Sequence, residues 1–212
     1  MITAKNSLLA AQVVQSPTIA KSVIHPRFAV VDRPGIHHGQ AGTQVDPGDF
    51  RATLGCFPTG VAVITSLEGK MPVGMVVGSF SSISLDPPLV GFFAGVESVS
   101  YGEISRSSRF LVNVLGAEHD EACRQFFRDR DSRFQSPAWG SAENGLPKFS
   151  EAIAWINCTI VQETKIGDHV LVVGQVEDLA RNEDKVSAPA LVFHRGEFGA
   201  SRFDDRNADG AR

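Results

Sequence analysis

Between Gly60 and Ala94 the chain holds three extended segments separated by almost nothing. Val61-Ala62-Val63-Ile64-Thr65 is a β-branched run, Pro72–Ile83 is a second extended segment, and Pro87–Ala94 is a third. Glu68-Gly69-Lys70 supplies a turn after the first. Parallel strands need a crossover connection of a dozen or more residues, usually a helix, and these links are shorter than that. The three segments therefore read as antiparallel neighbours. A doubly wound parallel sheet is disfavoured from the outset.

The flanking sequence keeps this character. Pro47-Gly48-Asp49 opens the domain, with Asp49 as the cap of a short helix that places Phe50, Leu54 and Phe57 on one face. Pro58 and Gly60 end it. Ser100–Ser108 reads as a helix, and Arg109–Leu115 as a strand with Phe110, Val112 and Val114 alternating. Glu118–Arg128 reads as a helix with Cys123, Phe126 and Phe127 on one side, and Asp129–Ser150 as loop. Ile153–Glu163 and His169–Asp178 are long strands joined through Gly167, and Ala190–His194 is the last strand. About six strands and two or three short helices, without a strand–helix–strand rhythm, point to an antiparallel barrel.

Several function classes drop out. No G-x-G-x-x-G follows a strand, and no P-loop, H-E-x-x-H or G-x-S-x-G occurs. The net charge of -4 argues against a nucleic-acid partner. Cys56, Cys123 and Cys158 lie far apart with no C-x-x-C, so neither a metal site nor a disulfide framework is expected, and the setting reads as reducing and cytoplasmic. No apolar run approaches the roughly 20 residues that span a bilayer, so no membrane association is expected. Residues 1–46 lack periodicity and read as a poorly ordered N-terminal extension. Their first 31 residues carry Lys5, Lys21 and Arg27 but no acid, a flavour shared with transit peptides. The domain is expected over 47–200, with a polar tail over 201–212.

Four segments can carry chemistry. In Pro72–Pro88, Gly74 and Gly78 weaken a strand unless something approaches its backbone closely. The hydroxyls of Ser79, Ser81, Ser82 and Ser84 follow. Such a stretch can grip the edge of a flat heteroaromatic ring, or it can be a Gly-rich barrel strand with a polar outer face. In Phe92–Ser100 a strand leads into a helix that Ser98 or Ser100 can cap, and a helix N-terminus with hydroxyls beside it suits a phosphate. Plain N-capping is the commoner use of such a serine. Lys165–His169 is a hairpin turn in which Asp168 can orient His169. In Phe193–Gly199, Arg195 can meet a phosphate or be solvated.

Together, in this order, these segments resemble the flavin reductase-like family, which includes reductase components of two-component flavin-dependent monooxygenases. The resemblance runs from about Phe50 to Gly199. It is carried by Phe50-Arg51, Gly60–Thr65, Pro72–Met75 through Ser79-Phe80 to Ser84–Val90, Arg109–Leu115, Gly167-Asp168-His169 with Val173–Val176, and Phe193–Gly196. It implies a mainly β, antiparallel Greek-key split barrel of the FMN-binding type, usually a homodimer. Pro72, Val73, Gly74, Met75, Val76 and Gly78, with Ser79, Ser81 and Ser82, are then expected to line the flavin ring. Phe93, Ala94, Gly95, Ser98, Val99 and Ser100 are expected to hold its ribityl and phosphate. Gln125 and Phe126 join the cofactor-binding set, and His169 with His194, Arg195 and Gly196 lies on the nicotinamide side. The family often has a polar residue at the position of Gly78, Thr at Ser100 and Tyr at Phe198.

The activity so implied is hydride transfer from NADH or NADPH to FMN or FAD, for a partner monooxygenase. The cofactors carry that chemistry, so no catalytic acid is nominated, and His169 is given a positioning role. Two other readings stay open: a split barrel with tightly bound FMN acting as an oxidase or a non-catalytic flavin binder, and a non-enzymatic barrel for another ligand.

Overall fold

The computed structural model describes residues 45–136, 138–185 and 187–202. Apart from Val45, Asp46, Ser201 and Arg202, the segments read as extension and tail lie outside the described residues. The chain begins with α1 (Pro47–Leu54), β1 (Thr59–Gly60), β2 (Ala62–Glu68), β3 (Met71–Val77), β4 (Ser81–Leu85) and β5 (Pro88–Gly95). Then come α2 (Val99–Ser107), β6 (Arg109–Val114), a 3-10 turn (Ala117–His119) and α3 (Asp120–Arg128). A hairpin of β7 (Trp139–Ser141) and β8 (Pro147–Phe149) precedes β9 (Ala154–Ile166) and β10 (His169–Arg181). β11 (Leu191–His194) and β12 (Glu197–Ala200) complete the described elements, none of whose helices is long and apolar enough to cross a membrane.

Seven strands form one antiparallel sheet in the order β3-β2-β6-β9-β10-β5-β4. β3 and β4 are consecutive in the chain yet sit at opposite edges. Only Gly78, Ser79 and Phe80 join them. The four peptide steps from Val77 to Ser81 reach at most about 14 Å. Six strand spacings in a flat sheet cover about 29 Å. The sheet must therefore curl until its edges meet, and Ser79 fastens the seam by accepting a hydrogen bond from Phe93 N at 2.9 Å. A second sheet, β1-β11-β12, lies beside this barrel.

The β-branched run of β2 faces apolar material on both sides. Ala62 and Ile64 belong to the barrel core with Phe92, Phe110 and Val172. Val61 and Val63 belong to a second core with Leu115, Phe126 and Leu191. A strand covered on both faces loses its polar alternation, which is why Val61–Ile64 is continuously apolar. Inside the barrel Phe92 and Phe110 meet edge to face at 5.4 Å. Between the layers, fully buried Asn113 ties β6 to β2 and β8. Its amide donates to Val63 O (3.2 Å) and Thr65 Oγ1 (3.1 Å), and its carbonyl accepts from Phe149 N (2.9 Å).

The structure corrects several expectations. Asp46, not Asp49, caps α1, accepting from the N–H groups of Gly48 and Asp49. Its carboxylate is the first acceptor that the free N–H groups of the opening turn meet. Pro72–Ile83 is two strands, because the chain must cross the seam at Gly78–Phe80. Phe127 is 69% exposed while Cys123 and Phe126 are buried, since one helical step rotates it off the packed face. The loop region contains the β7–β8 hairpin, and Phe193–Ala200 holds a second short strand that pairs with β11 through a two-residue turn.

Replacing Asn113 by alanine leaves the Phe149 N–H without its acceptor in a site closed to water. We expect Asn113→Ala to lower unfolding stability by about 2–3 kcal/mol, read as a lower urea midpoint at unchanged slope. An unchanged midpoint would show that the node contributes nothing.

Candidate functional site

β5 ends against the turn between β9 and β10. Its last residues pair with the start of β10, Phe93 with Leu171 and Gly95 with His169. Val96 N donates to Asp168 O at 3.0 Å, so the chain turns sharply here into α2. Ser98 caps that helix by accepting from Tyr101 N at 3.2 Å. Ser79 holds Phe93 from the seam side. The fold thus gathers Ser79, Phe93, Gly95, Ser98–Ser100 and His169 around one corner, while Ala94, expected to join them, is 1% exposed and points into the barrel core because successive strand residues alternate in direction. The corner is open: Phe93 is 41% exposed, and a Cβ built on Gly95 meets nothing within 4 Å. Ser81 and Ser82 follow on the same edge, both exposed.

His169 Nδ1 lies 2.8 Å from Asp168 Oδ1. That hydrogen bond, with the charge of the imidazole behind it, holds the Asp168 carboxyl below its usual range. Against an ionised carboxylate it is the Nδ1–H that makes the bond, which leaves Nε2 for another partner. Both side chains are substantially exposed, so the pair orients the ring rather than stabilising the fold.

The second group of candidates lies on the other side of Gly78. A Cβ at Gly78 falls 2.7 Å from Thr59 Oγ1. Thr59 pairs with Phe193, and the β11–β12 turn follows at Arg195 and Gly196, both with positive φ. Arg195 N donates to Gly55 O at 2.9 Å, tying this turn to the end of α1. His194, Arg195 and Gly196 are all exposed. A groove of about 430 Å³ runs between Arg195, Gly196, Arg51 and Cys56.

The third group sits beneath α3. A Cβ at Gly74 falls 2.9 Å from Ile64 O and 3.1 Å from the Phe126 ring, so this glycine makes room for protein. Phe126 is 3% exposed and meets Phe134 edge to face, inside the second core. Gln125 spends its amide on Ser132 O at 2.8 Å. Val73 is buried, Met75 and Val76 are half-buried, and Pro72 is exposed. The loop after α3 adds Arg133, which the sequence reading did not pick out. Its Nη1 donates to Ser100 Oγ at 3.0 Å and to Gly74 O at 3.2 Å. An arginine in a stretch that reads only as loop carries no periodic signal to mark it.

A separate groove of about 300 Å³ lies near Trp155, Asn157 and Asp178, where Lys148 Nζ sits 3.8 Å over the Trp155 ring. None of the candidate residues lines it. Among the described residues, no three His, Cys, Asp or Glu side chains gather as a metal site.

Comparison with known proteins converges on one family. The pattern of the Flavin reductase like domain matches residues 54–202. The chain is 40% identical over 158 residues to a flavin reductase of Pseudomonas putida, covering 73% of this chain and 90% of that protein. It is 37% identical over 155 residues to HsaB, the reductase subunit of a flavin-dependent monooxygenase of Mycobacterium tuberculosis, covering 73% and 82%. Among solved structures, the NADH:FAD oxidoreductase SgcE6 of Streptomyces globisporus, in complex with NAD and FAD fragments, superposes with a TM-score of 0.68 at 33% identity, covering 78% and 99%.

The contact between Gly78 and Thr59 yields a test of local packing. Gly78→Ala is expected to cost about 1–2 kcal/mol of stability. Thr59→Ala removes the opposing oxygen and leaves a Cβ at an ordinary 3.5 Å, so the double variant should recover most of that loss. Strict additivity in the double-mutant cycle would show that the two residues do not meet.

Proposed function

The chain belongs to the Flavin reductase like domain family, and from that membership we propose that it is an NADH:flavin oxidoreductase that supplies reduced flavin to a partner monooxygenase. The observation that carries this reading is the open corner where β5 runs into α2 against the His169 turn. It combines an exposed aromatic face at Phe93, empty space at Gly95, exposed serines at Ser81 and Ser82, and a capped helix start at Ser98. Those residues fit a flat ring with a polar edge and a phosphorylated tail.

A flavin held here would supply the acceptor for a hydride from a dihydronicotinamide. The protein's part is to hold two flat rings together and keep water out. Phe93 and Gly95 offer the apolar surface and the clearance. Ser79 holds the Phe93 backbone in place, and Ser81 and Ser82 offer hydroxyls to a polar ring edge. Ser98–Ser100, at the positive end of α2, suit the phosphate. His169, oriented by Asp168, presents Nε2 to the nicotinamide, and the turn His194–Gly196, beyond Gly78, is a second candidate contact for that cofactor. Phe126 and Gln125 support the site from behind, through Gly74 and Ser132. No residue of the chain needs to accept the hydride.

FMN or FAD serves as acceptor and NADH as donor. The cytoplasmic setting is supported by three cysteines that are all free thiols. A homodimer is supported by α1, whose apolar face is left bare: Phe50 and Leu54 are 55% and 56% exposed. Light scattering should give twice the mass of one chain, and a fully active monomer at working concentration would overturn this.

Steady-state oxidation of NADH and NADPH, with FMN, FAD and riboflavin supplied in turn, tests the activity. Flavin-dependent oxidation with a preference for NADH is expected, and none with any flavin would refute the reading. For His169→Ala we expect kcat/KM for the nicotinamide to fall by the equivalent of about 1–2 kcal/mol, one lost hydrogen bond. Flavin affinity should stay the same. Normal hydride transfer and normal cofactor saturation would remove His169 from the site.

A further inference from the structure

A buried imidazole has no part in hydride transfer. His119 closes the 3-10 turn between β6 and α3 and is 8% exposed. Its Nδ1 accepts a hydrogen bond from Gly116 N at 3.1 Å, while its own backbone N–H donates to Gly116 O at 3.0 Å. Gly116 bridges to Ala190, and Ala117 N donates to Pro189 O at 2.8 Å, so this reciprocal pair also fastens the chain entering β11. The ring meets Phe149 of β8 edge to face at 5.1 Å. The turn, β8 and the segment before β11 thus come together at one imidazole. α3 starts at the next residue and sends Cys123 and Phe126 into the second core.

An acceptor at Nδ1 fixes the protonation state. The ring is neutral and carries its one hydrogen on Nε2, with Glu118 Oε1 lying 3.6 Å from that nitrogen. A second proton can go only on Nδ1, where it meets the Gly116 N–H in place of a lone pair. The bond is then lost, and a donor is left without its acceptor in a site nearly closed to water. Among the described residues, the charges around the ring come from several elements. Glu118 stands on the same turn, Glu151 on the segment after β8 and Lys185 on the segment after β10. Lys185 Nζ holds both carboxylates, at 3.2 and 2.7 Å. Asp120, the first residue of α3, lies 3.5 Å from Arg124, and Lys148 of β8 lies over Trp155. The carboxylates beside the imidazole are therefore already shared with a lysine. Burial, together with Lys185, holds the imidazole below its ordinary range against the pull of Glu118 and Glu151. A core histidine with a purely structural role accounts for the contacts with Gly116 and Phe149. Any acceptor of the same shape serves those contacts, and only an imidazole makes them depend on a proton.

We propose that His119 is a proton-operated latch: neutral, it holds the start of α3 to Gly116, and on taking a proton at Nδ1 it lets that junction open while the barrel stays folded. A depressed imidazole makes the folded chain bind fewer protons than the unfolded chain. Its contribution is complete above the ordinary imidazole value of about 6.5 and is lost as pH falls below it. The opening is local because the buried core of the barrel is apolar apart from Cys158. Burial pushes that thiol up to about 12, so nothing in that core titrates in the same range.

Amide hydrogen exchange of the full chain, corrected for the intrinsic pH dependence of exchange, tests the latch. From about pH 7.5 to about pH 5.5, protection of the Gly116 amide should fall about three- to tenfold relative to that of Phe110 in the barrel, tenfold being roughly the limit for one imidazole. His119→Asn places an amide oxygen close to where Nδ1 stands and has no proton to take up. In that variant Gly116 should keep its protection at both pH values. Protection at Gly116 that does not change with pH, an equal loss at Gly116 and Phe110, or the same fall in folded His119→Asn overturns the proposal. If the variant does not fold, the imidazole nitrogen shifts of the wild type decide. At about pH 7.5 they must show His119 neutral with its hydrogen on Nε2, and the second proton must arrive below about pH 6.5. The other tautomer, or a second proton at or above that pH, overturns the latch.

Discussion

Four peptide steps between Val77 and Ser81 have to join the two free edges of a seven-stranded sheet. That tether forces the curl, and the curl brings the end of β5 to the seam. Ser79 sits in the middle of the tether and holds Phe93, so closure of the barrel and exposure of the Phe93 ring are one event. Gly78 stands where the tether passes closest to the small sheet. The small sheet is in turn held to α1 through Arg195 and Gly55. The candidate residues collect here because this is where the barrel is sewn, and a seam is the part of a closed sheet without a full ladder of backbone hydrogen bonds.

Within that region the polar groups divide into those the protein has already used and those it has not. The hydroxyl of Ser98 caps α2, the amide of Gln125 holds Ser132, and Asp168 holds one nitrogen of His169. What is left over faces outward: Nε2 of His169 and the hydroxyl of Ser82. Such a division suits a reaction whose bond-making belongs to two bound molecules. It asks the protein for fixed contacts and no buried acid.

Strands were legible where local pattern and tertiary demand agree. Val61–Ile64 is β-branched because both its faces are covered, and Gly69 turns the chain with a positive φ that other residues resist. Ser98 was recognisable as a cap for the same local reason. The break at Gly78–Phe80 was not, because a residue crossing from one sheet edge to the other keeps an extended backbone and looks like more strand. Gly74 and Gly78 signalled a close approach correctly, but sequence does not say what approaches. The neighbours are Ile64, Phe126 and Thr59. Phe127 was misplaced because α3 packs on a narrower stripe than its three apolar residues suggest. Arg133 was invisible, since its partners Gly74 and Ser100 lie 59 and 33 residues away.

The strand order also dictates how the chain can become a protein. The two outermost hairpins, β2–β3 and β4–β5, come from the first stretch of the domain, whereas the strands between them come from residues 109–181. As the polypeptide leaves the ribosome, the rims are made before the middle. The inner edges of β2 and β5 have nothing to pair with until β6 and β10 are synthesised. No run of consecutive strands encloses the Phe92–Phe110 contact by itself. Assembly is thus governed by contacts distant in sequence, which makes the whole sheet, and not any hairpin, the unit that forms.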